Sequence, residues 1–455
     1  MKLSKLLHAA GLTRVIPDRE IRSITADIGQ VGQGSLYVCH RRDTAQVSQL
    51  LKAARQAGAV SVAAVGEPDI RCEDTRRMLS YSVAHFYGDP HKKLRVIGVT
   101  GTNGKTTVSS MLAHILRQAG RRCELVGTNN CGGYTTPIPE ILFPTMAQAV
   151  ERGCQDLVME VSSHSLDQSR VAPIRFACGI FTNLTQDHLD YHLSMQRYAK
   201  AKERLFAQSD AAVVNADDGY AAQMASVCRD VTYYGKAQFE RIQSRPDGVQ
   251  YRLDGMDIDC PIPGLFSVYN SAAAAVAARR LGVADGDIVR AIANFQGVDG
   301  RMEMLKTNTD FRVIIDYAHT PDGLKNVLST VNGFKQGRLI VVFGAGGQRD
   351  KGKRAQMFAV CADLADYIVI TSDNPRKEDP FSIIKDILAG LNGYTTPFAV
   401  LENRRAATAF ALREAQPGDI VLLAGKGHER YQLVGDRVLP YDEREVVKEI
   451  LKQDR

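Results

Sequence analysis

Seven residues, Gly101-Thr102-Asn103-Gly104-Lys105-Thr106-Thr107, carry the plainest chemistry in this sequence. They follow an apolar stretch at 96–100 and precede an amphipathic one at 108–119, so they read as a strand that breaks into a glycine turn and resumes as a helix. Such a turn aims backbone N–H groups at phosphate oxygens, and the helix adds its positive end. Lys105 supplies a point charge and Thr106 a hydroxyl for Mg²⁺, while Gly101, Thr102, Asn103, Gly104 and Thr107 complete the cradle. The ligand these residues suit is ATP. The general phosphate-loop pattern has a glycine five residues before Gly104, where this chain has Val99, with Gly98 one place early. A purely structural glycine turn would not need the Lys-Thr-Thr that follows.

Further motifs lie at the ends of apolar stretches. Leu157-Val158-Met159-Glu160-Val161 runs into Ser162-Ser163-His164, and a strand at 176–182 ends in Asn183-Leu184-Thr185-Gln186-Asp187-His188-Leu189-Asp190-Tyr191-His192. Strands alternating with helical patterns predict a parallel sheet with its site at the carboxyl ends of the strands. Glu160, at such a tip beside the phosphate loop, suits Mg²⁺. His188 taken alone reads equally as a satisfied loop histidine. Apolar strands at 313–317, 339–343, 368–371 and 420–423 predict a second doubly wound domain. There Gly344-Ala345-Gly346-Gly347 lacks the third glycine of a dinucleotide fingerprint.

The elements that must carry these motifs sort into an α/β chain of three domains. A small α/β domain at 1–93 has strands at 21–26, 35–39 and 60–65 and a helix at 47–57. It proposes no chemistry of its own, and His8, His40 and His85 read as packing or surface residues. The polar stretch Gly88-Asp89-Pro90-His91-Lys92-Lys93 reads as a linker. A central P-loop-type parallel-sheet ATPase domain follows at 94–300, and a C-terminal Rossmann-like domain at 301–455. The length of 455 residues agrees with three domains at roughly 150 residues each. The net charge of +6 is small and unclustered, which gives no reason to expect nucleic acid or membrane as partner. Nine scattered cysteines without a Cys-x-x-Cys pair point to a reducing, cytoplasmic setting. No run of apolar residues is long enough to span a bilayer, and a monomer is the expected state.

Taken together, the phosphate loop, Met159-Glu160-Val161-Ser162-Ser163-His164 and the 182–192 segment resemble the Mur ligases, ATP-dependent amide-forming enzymes of peptidoglycan synthesis. The likeness runs from about residue 96 to the end. It implies a modified lysine: Tyr198-Ala199-Lys200-Ala201-Lys202-Glu203-Arg204-Leu205-Phe206 matches that segment, with Lys202 at the carbamylated position. A carbamate offers hard anionic oxygens where an ammonium would repel Mg²⁺. The resemblance thus implies Thr106, Glu160, His188 and Lys202 as metal ligands, and Lys105, Glu160, His188 and Lys202 as the catalytic group. Thr135, Thr136, Ser162 and Arg170 match positions that hold the dipeptide part of the acceptor, Arg170 as its carboxylate clamp. Leu265-Phe266-Ser267-Val268-Tyr269-Asn270 and an alanine-rich helix at 271–281 resemble the adenine-side segment, with Ser267 in place of the usual Asn and Asn270 retained. Arg301 matches an arginine that reaches the nucleotide phosphates, with Asp299 nearby replacing a customary proline, and Asp316 matches a nucleotide contact near the hinge.

Asp373-Asn374-Pro375-Arg376 would by itself be read as a turn. Within the family it is similar to the pattern of members that add diaminopimelate, whose distal carboxylate a planar guanidinium grips with two parallel hydrogen bonds. Arg376 would read that group, with Asn374 beside it, and Arg349, Gly425 and Glu429 match the remaining amino-acid contacts. The implied substrates are UDP-MurNAc-L-Ala-D-Glu and meso-diaminopimelate, joined through an acyl phosphate. Three alternatives stay open: L-lysine or another acceptor, a folylpolyglutamate-type ligase of the same fold, and a nucleotide-binding relative without catalysis. In the first domain the family's uridine-binding segment usually reads Asp-Ser-Arg, and this chain has Asp27-Ile28-Gly29.

Overall fold

The structure is a computed structural model that describes residues 1–13, 17–129 and 134–453. Short polar side chains cap several of the helices. Asp43 accepts a hydrogen bond from the Gln46 N–H at 2.7 Å to start Thr44–Gln56, Ser194 starts Met195–Ala207, and Thr320 starts Pro321–Asn332 with proline in the first turn. Between the helices, strands buried along their whole length form sheets covered on both faces.

The first sheet runs β1 (Ser23–Thr25), β2 (Ser35–Val38), β3 (Val60–Ala63) and β4 (Ile70–Arg71), all parallel. The second contains β5 (Arg95–Thr100), β6 (Cys123–Val126), β7 (Asp156–Glu160), β8 (Cys178–Phe181), β9 (Ala212–Asn215) and β10 (Val231–Tyr234). Its parallel order is β10-β9-β8-β5-β7-β6, with β5 between β7 and β8. An antiparallel ribbon of β11 (Phe239–Arg245), β12 (Gly248–Leu253) and β13 (Met256–Cys260) packs on the helices Leu265–Arg280 and Asp285–Ala293. The last large sheet holds β14 (Glu303–Leu305), β15 (Arg312–Asp316), β16 (Leu339–Phe343), β17 (Tyr367–Ile370), β18 (Phe398–Val400) and β19 (Ile420–Ala424). They are ordered β14-β15-β19-β16-β17-β18, with β14 the antiparallel member. A hairpin, β20 (Tyr431–Val434) and β21 (Arg437–Pro440), follows β19.

Two expectations need correction. The stretch at 88–93 is not an exposed linker: Pro90 and His91 are buried in a short 3₁₀ turn, and the His91 ring packs edge-on against Phe143. One apolar cluster accordingly joins Leu36 and Val62 of the first sheet to Met159 of the second and to Phe206 of the helix Met195–Ala207. Asn270 also does not precede the alanine-rich helix. That helix begins at Leu265, so Asn270 lies in its second turn. The last sheet has two apolar clusters of its own, one on each face.

Candidate active site

The phosphate loop joins β5 to Lys105–Gln118, and its glycines are required by geometry. Gly104 has φ +85°, and a Cβ there would sit 2.5 Å from Asn270 Oδ1; at Gly101 a Cβ would meet Thr182 Oγ1 at 1.8 Å. Lys105 Nζ donates to the Gly101 and Thr102 carbonyls at 2.9 and 2.8 Å, and burial lowers its pKa. Thr106 Oγ1 donates to Glu160 Oε2 at 3.0 Å and accepts from Arg301 Nη2 at 3.1 Å. Glu160, buried at the end of β7, takes the Thr128 N–H on its other oxygen at 2.8 Å.

Past the end of β8, His188 adopts a left-handed backbone, φ 57°, and caps the short helix Leu189–His192. Burial pushes its pKa down to about 3. Its ring lies 4.9 Å from that of His164, edge to face. Lys202, on Met195–Ala207, is 1% exposed and donates to the Gly101 carbonyl at 2.7 Å and Thr100 Oγ1 at 3.4 Å, with its Nζ 4.8 Å from the Tyr198 ring centre. Its partners are neutral oxygens. Burial, together with Lys105 nearby, holds its pKa well below the usual lysine value.

Two adjoining cavities meet at this loop. One, of about 710 Å³, brings Lys105, Thr106, Glu160, His188 and Thr135 together with Arg349, Asp373, Asn374, Arg376, Gly425 and Glu429. The other, of about 400 Å³, gathers Asn270 and Asp316, and both cavities include Asn103, Gly104, Thr107 and Arg301. The Arg301 guanidinium stacks 4.3 Å over Tyr317. Asp316 accepts from the Met302 and Ala318 N–H groups, both at 2.7 Å.

Four other expected residues stand beside the larger cavity. Thr136 Oγ1 bonds the Glu160 carbonyl at 2.9 Å and Ser162 Oγ at 3.2 Å, and Arg170 Nη1 donates to the Thr136 carbonyl at 2.7 Å. The Pro375 carbonyl accepts the Glu378 N–H at 3.1 Å, so this residue shapes the turn that carries Arg376. Arg376 itself has φ 53°, and its backbone is tied to β20 through the Leu433 carbonyl. Two bulky residues held in left-handed conformations, His188 and Arg376, thus point at one cleft.

Residues 99–278 match the Mur ligase middle domain, and residues 300–427 match the Mur ligase glutamate ligase domain. The chain belongs to the Mur ligase family. A UDP-N-acetylmuramoyl-L-alanyl-D-glutamate–2,6-diaminopimelate ligase of Caldanaerobacter subterraneus is 44% identical over 400 residues, covering 84% of this chain and 83% of the relative. The enzyme of the same name from Bacillus licheniformis is 40% identical over 486 residues, covering 98% and 99%. Among solved structures, a UDP-N-acetylmuramoyl-L-alanyl-D-glutamate–2,6-diaminopimelate ligase superposes with a TM-score of 0.68 at 28% identity, covering 100% of this chain and 99% of the other. MurF from Acinetobacter baumannii shares the fold, with a TM-score of 0.67 at 19% identity, covering 99% and 97%.

In this Mur ligase, several residues stand at the cleft to which the motifs alone gave no role. Asp187, 5% exposed, accepts from Lys353 Nζ at 3.0 Å and lies 3.8 Å from His319 Nε2, both on the far side of the cleft. Its Oδ2 is 3.4 Å from His188 Nε2. Burial raises the Asp187 carboxyl, but His188, Lys353 and His319 outweigh that and hold it far below the usual carboxylate range. Lys353 follows Arg349 by four residues and His319 follows Asp316 by three; only the fold shows that they converge.

Among the described residues no three His, Cys, Asp or Glu side chains form a metal-binding group. The donors that fit a hard divalent cation are the Thr106 hydroxyl and the Glu160 carboxylate, 3.0 Å apart at the start of the loop helix. Among the described residues no helix is long and apolar enough to cross a membrane.

Proposed function

We propose that this Mur ligase uses ATP to join diaminopimelate, in its meso form, to the D-glutamate carboxylate of UDP-MurNAc-L-Ala-D-Glu, releasing ADP and phosphate. The observation that carries this reading is that Lys105 and Thr106 share one cleft with Arg376, Arg349 and Glu429. A carboxylate does not accept an amine at neutral pH, because hydroxide or oxide is a poor leaving group. Transfer of the γ-phosphoryl to the acceptor carboxylate gives an acyl phosphate; the amine adds to its carbonyl, loses a proton, and expels phosphate as the amide forms.

Lys105, folded back on the loop carbonyls, is within reach of a phosphate seated in the cradle, and Arg301 lies beside it. Mg²⁺, where held by Thr106 and Glu160 with His188 and carbamylated Lys202 nearby, would offset phosphate charge. Asn270 and Asp316 line the cavity that suits the nucleoside, and Thr135, Thr136, Ser162 and Arg170 are assigned to the dipeptide. Arg376 and Arg349 are assigned to the distal carboxylate of the amine, and Glu429 to an ammonium. Both halves of the cleft come from one chain, which supports a monomer as the working unit, and Cys39, Cys123, Cys154, Cys178, Cys228, Cys260 and Cys361 are free thiols, which supports a cytoplasmic setting.

ADP release with UDP-MurNAc-dipeptide and each candidate amine in turn tests the reading. Release that depends on diaminopimelate, with L-lysine far weaker, is the expected result. No amine-dependent release from any combination retires it.

A further inference from the structure

Beneath the turn that carries Arg376 lies a fully buried ammonium to which the proposed reaction gives no part. Lys426 Nζ donates to Asn374 Oδ1 at 2.6 Å, to Glu429 Oε2 at 3.0 Å and to the Tyr431 carbonyl at 2.8 Å, with Asp373 Oδ1 3.5 Å away. The Leu433 N–H donates to the same Asn374 oxygen at 2.9 Å. An ammonium and a backbone N–H can only donate, so the Asn374 amide must turn its oxygen to them and its NH₂ the other way. That NH₂ meets Glu429 Oε2 at 2.9 Å. Glu429 therefore receives two donors on one oxygen and keeps Oε1 for an ammonium of the substrate.

The charges follow the same logic. Burial raises the Asp373 carboxyl, but Lys426 and Arg404 more than reverse this, so it stays an anion. With Glu429, two carboxylates face the region that Arg376 shares with Arg349. Lys426 is the buried cation between them. Were it neutral, their field would work against any ligand bearing its own carboxylate.

We propose that Lys426 is a positioning residue that sets the amine preference: it fixes Asn374 as a donor and offsets the Asp373 and Glu429 charges, so the pocket accepts an amine with a distal carboxylate over one without. This rests on the reaction proposed above.

The test uses the full chain and measures kcat and KM for diaminopimelate, L-lysine and ATP in the unaltered protein, in Lys426→Met and in Asn374→Asp. Lys426→Met lowers the ratio of kcat/KM for diaminopimelate over lysine by about tenfold or more, the size of one charged hydrogen bond, and does so through KM for diaminopimelate while KM for ATP holds. Asn374→Asp keeps the bond from Lys426 but replaces the NH₂ that meets Glu429 Oε2 by an anionic oxygen, adding negative charge to the pocket, and shifts the ratio in the same direction. It carries the test alone should Lys426→Met not fold. A ratio unchanged in Asn374→Asp, or a Lys426→Met protein that loses both amines and ATP alike, overturns the proposal while leaving the reaction standing. Absence of amine-dependent ADP release from the unaltered chain overturns both.

Discussion

Gly104 shows how much of the site depends on single atoms. Its φ of +85° costs an L-residue about 1–2 kcal/mol, and an added methyl would press on Asn270 Oδ1 at 2.5 Å, so it would disturb the phosphate cradle and the nucleoside cavity together. Gly104→Ala is expected to weaken ATP binding by about tenfold or more on that strain alone, read by calorimetry, with little change in the affinity for diaminopimelate. At this scale the sequence was informative wherever a residue type is chemically forced, as for Gly104, Lys105 and Thr106. It was silent on Lys426 and Asp187, because a lysine or aspartate inside a polar motif looks the same whether it faces water or an ion pair. Burial made the difference, and burial is a property of the assembled sheets.

Among the elements, the ends of β5 and β8 are held to the last domain across the cleft. Lys353 reaches Asp187, Asn103 Nδ2 donates to Asp322 Oδ2 at 2.8 Å, and Gln186 Nε2 to Asp350 Oδ2 at 3.3 Å. Lys353 and Asp187 are both buried, so removing one partner leaves an uncompensated charge, a loss of about 3–5 kcal/mol. Asp187→Asn and Lys353→Met should each lower denaturant stability and ligase turnover, and the double variant should recover much of the stability. Additive losses in that cycle would show that the two side chains do not couple. The strands at 339–343 and 420–423 were legible as continuous apolar runs, and β15 nearly so. The strand β11 and the exposed hairpin β20–β21 were not, since their alternation is weak. By contrast β12 and β13 alternate strictly at Val249-Gln250-Tyr251-Arg252-Leu253 and Met256-Asp257-Ile258-Asp259-Cys260, a strand signal that went unread in the sequence.

Over the whole molecule, buried neutral histidines tie stability to pH. Burial lowers His40, His91, His164, His319 and His428 to about 4 and His188 to about 3, against an ordinary 6.5. Between those values the unfolded chain binds protons that the folded chain refuses. Their contribution is complete above pH 6.5, declines as pH falls toward 4, and stays lost below about 3. Carboxyls that burial raises, such as Asp316, act in the opposite sense nearer their own range. The histidine-driven decline is steepest roughly midway between 6.5 and 4, where the unfolded rings are charged and the folded ones neutral. Urea midpoints taken from pH 7.5 to 4.5 check this, and a midpoint that rose on acidification would mean that these rings are charged in the fold.

The His91–Phe143 contact and the cluster around it have one more consequence, for anyone who would exchange parts between ligases. A chimera spliced near residue 93 would cut through a single oily interior and expose both halves, whereas a splice near residue 300 falls between interiors that are already separate. An exchange of parts is thus cleanest when the last third moves as a unit, and the first domain must travel with the central one.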